Sequence, residues 1–261
     1  INSSNFLLLT QKKKMLFAEI PGNKSVKQEL INSVANNRIA HAQLFLGNLG
    51  NAKLALAFAF AQYLNCEKRR ETDSCNRCHS CQMYNTLSHP DLHIIFPVLK
   101  INNIKNPLSD NFISQWREIV LENPYLSLTQ WYQHLGAENK QGVIYKYEAE
   151  QLQKKVTLKN YEYAFRVILI WMPEKMNHVT ANKLLKLIEE PPKGTFFFMV
   201  TEDFEKLLPT IISRMQMVKT KPFKTENITN YLEQKKGLLA EKSLQIARLA
   251  NGNLNTALHL S

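Results

Sequence analysis

An α/β fold, with a mostly parallel sheet flanked by helices and a small helical region after it, is predicted by three features of the 261-residue chain. Short apolar runs at "AQLFLG" (Ala42–Gly47), "FRVILIWM" (Phe165–Met172) and "GTFFFMVT" (Gly194–Thr201) have the length and content of buried strands. Segments of helical periodicity alternate with them, as a sheet covered on both faces requires. After Pro222 the pattern is helical only, at "NITNYLEQ" and "EKSLQIARLA".

Taken in order, residues 1–14 stand apart as an N-terminal extension or vector-derived leader, and Met15 opens a more regular stretch. "SVKQELINSVANNR" (Ser25–Arg38) sets Val26, Leu30, Ile31 and Val34 on one helical face. The strand Ala42–Gly47 ends in glycine, and "AKLALAFAFAQYLN" (Ala52–Asn65) reads as a buried helix. Between about 97 and 163, as in "ISQWREIVLENPYLSLTQWYQHLG", charged helices with aromatics read as an insertion or elaboration. "TANKLLKLIEE" (Thr180–Glu190) carries the stripe Ala181, Leu184, Leu185 and Ile188, and Pro191-Pro192 stops it. This gives an α/β domain over 15–221 and a small helical domain over 222–261.

Hydrophobic residues make up 44% of the chain and charged ones 21%, enough apolar content for a sizeable core. The net charge of +11 favours a polyanionic partner such as nucleic acid. No apolar run approaches the roughly 20 residues that cross a bilayer, so no membrane partner is expected. "NFLLLTQKKK" places its apolar part before its charges and has no small-residue cleavage site, so a cytoplasmic location is expected.

All four cysteines, Cys66, Cys75, Cys78 and Cys81, fall within sixteen positions spaced C-x8-C-x2-C-x2-C. In a reducing compartment such crowding fits a tetrahedral Zn²⁺ site, with Lys68, Arg69, Arg70 and Arg77 stabilising thiolate charge. Unligated thiols and an iron–sulfur cluster are the alternatives. Four protein ligands leave no open position, so the expected zinc is structural.

"GNLGNAKL" (Gly47–Leu54) has the position and flanks of a phosphate-binding loop of the G-x-x-x-x-G-K-[ST] kind. Ala52 replaces the second glycine and Leu54 the metal-binding hydroxyl. The neighbouring strand should end in paired acids, but "LIWMPEKMN" offers Met172 and Pro173 there, with only Glu174 following. Lys53 alone survives, and a solvated lysine in the first helical turn is expected of it rather than a phosphate contact. The loop is read as degenerate, and neither ATP binding nor hydrolysis is expected of it.

"RIAHAQLFLGNLGNAKLALAFAFAQYLNC", the cysteine module, "SHPDLHII", "KLLKLIEEPP" and "LLPTIISRM" together resemble the AAA+ subunits of bacterial sliding-clamp loaders. The resemblance runs from about Phe17 to Leu260 and implies a P-loop-type AAA+ domain, then a helical lid domain, then a collar domain that would lie beyond Ser261. Lacking an intact phosphate loop and its acids, the chain resembles the family's non-hydrolysing member rather than its motors. Ser213-Arg214-Met215 matches the family's S-R-C motif, whose arginine reaches a neighbour's ATP site, so Arg214 is implied as a finger in trans with Ser213 beside it. Thr256 stands where the motors carry a nucleotide-sensing arginine. The implied partners are the motor and clamp-opening subunits of the loader, with the sliding clamp and primed DNA met through the assembled ring. A motor ATPase with an unusual site, and a zinc-stabilised DNA-binding module using Lys12–Lys14 and Lys68–Arg70, are the competing readings.

Overall fold

The computed structural model describes residues 14–101, 104–158 and 163–261. Residues 1–13, with Lys12 and Lys13, lie outside the described residues. Five parallel strands form the sheet: β1 (Ala42–Leu46), β2 (Leu92–Ile95), β3 (Arg166–Trp171), β4 (Thr195–Thr201) and β5 (Gln216–Lys219). Their order across the sheet is β2-β3-β4-β1-β5. All three strands read from sequence are present, and they are the three central ones. The two edge strands are additional.

Alternate residues of the central strands enter two separate cores, as the two-residue period of a strand requires. Phe45, Leu169, Phe198 and Val200 face the core built with α1 (Lys24–Ala35) and α2 (Lys53–Asn65). Every residue of α2 is buried, which explains why its Ala- and Leu-rich sequence has no polar stripe. Leu44, Ile168, Ile170 and Met199 face the other core. That core is closed by α6 (Lys146–Leu158), α7 (His178–Glu189) and the short α8 (Pro209–Ile212). Ala181, Leu184 and Ile188 of α7 are buried, with Leu185 partly so, and the Asn177 side chain caps the helix by accepting from the Thr180 amide at 2.8 Å. The cysteine module runs from the end of α2 to α3 (His79–Tyr84).

Of the described residues between 97 and 163, those of two helices after β2 pack into the core shared with α1 and α2, and those of α6 into the other core. Trp116 on α4 (Ile113–Glu122) stacks on Phe96 just after β2, with centroids 4.3 Å apart. It also meets Trp171 of β3 at 4.7 Å, and Trp131 of α5 (Leu128–His134) edge-on at 5.2 Å. Trp131 donates its indole N–H to the Pro97 carbonyl at 2.8 Å, which satisfies the one polar atom of a buried ring.

α6 carries Glu148, 6% exposed, whose carboxylate accepts from the Ser109 amide. Burial pushes its pKa up to about 7. A carboxyl whose folded pKa is raised binds its proton more tightly in the native state, so stability falls as pH rises from the unfolded value through the folded one. The chain should lose about 2 kcal/mol between about pH 5 and about pH 8, and Glu148→Gln, which keeps the acceptor, should abolish most of that loss. Denaturant titrations of both proteins at the two pH values check this; parallel curves would refute it.

The C-terminal α9 (Thr225–Lys236), α10 (Ala240–Ala250) and α11 (Leu254–Leu260) form the small helical unit read from sequence. It joins the base through Phe223, whose amide donates to the Gly252 carbonyl at 3.1 Å. Among the described residues, no helix is long and apolar enough to cross a membrane.

Candidate functional site: a self-filled phosphate loop, an exposed arginine and a four-thiol cluster

In a parallel sheet the carboxyl ends of all strands share one edge, and the loops there form the site. Leu46 of β1 stands opposite Thr201 of β4, so the loop after β1 lies next to Glu202. Trp171 of β3 stands opposite Val200, which brings Glu174 to the same edge. The chain turns there through Met172, held left-handed at φ 55°, into a 3₁₀ turn over Pro173–Lys175. That turn tucks Glu174 against the sheet, where it accepts from the Thr201 hydroxyl at 2.9 Å.

Lys53 is not the solvated lysine expected from its place in a first helical turn. It is 4% exposed, and its ammonium donates to the Asn48 carbonyl at 2.9 Å and to Glu202 Oε1 at 3.1 Å. Burial lowers its pKa, and the Glu202 carboxylate works against that shift. A lysine that reaches over such a loop meets a phosphate in a working site; here Glu202, a residue of this chain, supplies the anion. Sequence reasoning missed Glu202. Its signal was its place directly after an apolar strand that must neighbour β1.

The rest of the loop is also occupied from within. The Asn51 side chain and the Thr220 hydroxyl fill the space beside Gly47, leaving a substituted carbon there only 1.9 and 2.2 Å from them. Gly50, at φ 72°, has the Asn253 side chain against it at 1.7 Å from where a β-carbon would sit. Its carbonyl accepts from the Leu254 amide at 3.1 Å. Asn253 is the N-cap of α11, so the lid presses on the loop directly. Ala52, the replaced glycine, is fully buried, and Leu54 is 2% exposed; both side chains serve packing. Thr256 uses its amide to complete the α11 cap on Asn253 Oδ1 at 3.0 Å.

Arg214 follows α8 and is exposed, whereas Met215 beside it is 8% exposed and packs into the second core. The third position of the motif is thus a packing position, and the arginine is the residue turned outward. Its guanidinium donates to the Thr210 carbonyl at 2.7 Å and to the Ser213 hydroxyl at 3.3 Å. Glu189 of α7 pairs with it at 2.5 Å. Ser213 thereby positions the arginine, and its own hydroxyl donates to the Thr210 carbonyl at 3.2 Å. Among the described residues, Arg214 has no hydrogen bond or ion pair to the loop around Lys53; these are two separate features.

The four sulfurs of Cys66, Cys75, Cys78 and Cys81 lie within 4.8 Å of one another. Cys75 Sγ and Cys81 Sγ are 3.9 Å apart, close to the edge of a tetrahedron with bonds of about 2.3 Å. Backbone amides are aimed at the thiols: Cys75 N donates to Cys66 Sγ at 3.2 Å, and Arg77 N and Cys78 N to Cys75 Sγ at 3.4 and 3.3 Å. Burial opposes ionisation of Cys75, but those amides outweigh it and hold the thiol down at about 6. Burial pushes the Cys66 and Cys81 thiols up. A set that favours thiolate at one position and needs a counter-charge at the others fits a metal dication, and these four residues could hold one.

The model of a family described as DNA polymerase III, delta subunit, matches residues 22–224. The DNA polymerase III subunit delta' of Bacillus subtilis is 28% identical over 207 residues, covering 79% of this chain and 50% of the relative. That of Escherichia coli K12 is 25% identical over 235 residues, covering 89% and 58%. The tau subunit of the same organism is 28% identical over 253 residues, covering 94% of this chain and 32% of its own. The chain spans about half the length of the curated delta' relatives it matches. Among solved structures, the RuvB Holliday junction branch migration motor of Thermotoga maritima superposes with a TM-score of 0.51 at 13% identity, over 92% of this chain and 60% of that one. That likeness is one of fold, the AAA+ parallel sheet with its helical lid. With most of its length matched, the chain belongs to the family described as DNA polymerase III, delta subunit, and curated delta' proteins are among its relatives.

Proposed function

We propose that the chain is a non-hydrolysing subunit of a replicative clamp loader, which offers Arg214 to the ATP site of a neighbouring motor subunit. The observation that supports this best is the internal ion pair of the phosphate loop. Lys53 is engaged by Glu202 and the Asn48 carbonyl, so a nucleotide would have to displace a bonded carboxylate from a buried lysine. The loop also lacks the hydroxyl and the acids that hold Mg²⁺. The exposed guanidinium of Arg214 can reach outward without rearranging the core. In a neighbour's site it would stabilise charge developing on the γ-phosphate. The four cysteines hold a structural zinc ion in this reading, and clamp and primed DNA are met through the ring. The kinship with tau-type subunits keeps a second reading in play, in which the chain is itself an ATPase.

Two measurements test the assignment. Calorimetry with Mg²⁺-ATP should show no binding to the chain, whereas hydrolysis abolished by Lys53→Ala would favour the motor reading. In a ring assembled from the complete subunit and its motor partners, Arg214→Ala should lower DNA-stimulated ATP turnover severalfold, because one site loses its finger while the others keep theirs. Undiminished turnover would refute the role of Arg214.

A further inference from the structure

A groove of about 720 Å³ lies between the N-terminal segment, the first turns of α1 and the cysteine module. Five cations line it: Lys14, Lys24, Lys27, Arg70 and Arg77. The one acid among the described residues of its wall is Asp73, which accepts from the amides of Phe17 at 3.2 Å, Ala18 at 2.9 Å and Ser74 at 2.8 Å. Among the described residues, none of the five cations has a carboxylate within ion-pair distance, although six lysine or arginine ion pairs form elsewhere on the surface and at the phosphate loop. Between them the floor is apolar, with Leu16 and Ile31. Asp73 attracts Lys27, and the Cys75 thiol lies beside Arg70 and Arg77, but five cations over an apolar floor still exceed the acidic groups that the described lining offers them.

We propose that this groove is a docking site for an acidic peptide segment of a partner protein, one carrying Asp or Glu together with aliphatic or aromatic side chains. The chemistry of the walls selects that partner over the other polyanions. Single-stranded nucleic acid is held by exposed aromatic faces on which bases stack. Among the described residues, the one aromatic that lines this groove is Phe17, which is 2% exposed and offers no such face. Duplex DNA presents a broad convex backbone that a pit of this size does not follow, and it has no use for an apolar floor. An acidic peptide uses both features, its carboxylates on the guanidinium and ammonium groups and its apolar side chains on the half-buried Leu16. The chain's own residues 1–13 are an unsuitable occupant, because they contain two lysines and no acid.

Fluorescence anisotropy of three labelled probes titrated with the chain tests this. The probes are a peptide alternating Asp and Glu with Leu and Phe, its Asn/Gln counterpart, and an oligothymidylate of matched charge. The acidic peptide should bind saturably and at least about tenfold tighter than its neutral counterpart. The pair Lys24→Glu with Arg77→Glu should weaken it by about tenfold or more, and Lys242→Glu, an exposed charge change of equal sign on α10, should leave it unaltered. Should the reversal pair fail to fold by circular dichroism, Lys24→Gln with Arg77→Gln carries the same comparison with a smaller loss. The proposal falls if the neutral peptide binds equally well, if the groove variants bind like the native chain, or if the oligothymidylate competes as effectively as the acidic peptide.

Discussion

On the proposal that the four thiols hold zinc, removing the metal or replacing Cys81 by serine is expected to cost roughly 3–5 kcal/mol of stability and to release the N-terminal segment along with the module. Cys81 is fully buried at the start of α3, and serine there would be a poor ligand left among sulfurs. The consequence should travel, because the module is stitched to its surroundings by polar bonds. Asp73 holds the amides of Phe17 and Ala18, and Asn85 Oδ1 accepts from the Met15 amide at 3.2 Å. Zinc-finger peptides, which have nothing else to hold them, depend on about 10–16 kcal/mol of metal binding. The loss here should be smaller, since Cys66 ends a helix that is packed on every side. Elemental analysis of reduced, purified chain should give one zinc per molecule, and a chelator or Cys81→Ser should lower the melting temperature and open amides around 14–20 and 66–85 to hydrogen exchange. Metal-free protein, or a variant that melts like the native chain, would remove zinc from the account.

Which parts of the molecule were legible in the sequence depended on whether their determinants were local. β1, β3 and β4 declare themselves because a strand buried on both faces is apolar along its whole length. β2 and β5 do not, for physical reasons. Each is four residues long, and β5 reads "QMVK" with its two ends exposed, as an edge strand facing water should. The packing of Trp116 on Phe96, Trp131 and Trp171 joins residues up to 55 positions apart, and nothing in a helix of mixed polarity announces such partners. The cysteine spacing announced the thiol cluster, whose sulfurs converge between the end of α2 and α3. The phosphate loop was half legible. Its missing groups could be read directly, but what replaced them could not. Lys53 seen on a helix turn alone invites a solvated side chain, whereas the carboxylate that claims it arrives from β4, 149 residues later. The lid's Asn253, which presses on Gly50, comes from further still.

That replacement predicts an asymmetry between two single substitutions and their combination. In Glu202→Ala the Lys53 ammonium, with 5% of its side chain exposed, keeps only the Asn48 carbonyl as a partner. Removing one member of a buried pair costs about 3–5 kcal/mol. The Glu202 side chain is 26% exposed and Glu174 is close enough to attract the lysine, so the expected loss is smaller, about 2–3 kcal/mol. Lys53→Met should cost less than Glu202→Ala, since the carboxylate it abandons can turn toward water. Combining Lys53→Met with Glu202→Ala removes the stranded charge, and the pair should recover a kilocalorie or more, about 1–2 kcal/mol, relative to the sum of the singles. The pH dependence has a definite sign. Burial has lowered the folded pKa of Lys53 below its unfolded value, so the unfolded chain binds the extra proton and stability rises with pH. Without Glu202 to oppose that shift, the deficit of Glu202→Ala should shrink toward alkaline pH as the lysine becomes neutral. Denaturant titrations of the four proteins at neutral and alkaline pH read out all of this. Additive singles would mean that the pair contributes no coupling and that the loop is held by Asn51, Thr220 and Asn253 instead. A melting temperature that climbs with added Mg²⁺-ATP would mean that nucleotide displaces Glu202 from Lys53, and the loop would then be a ligand site after all.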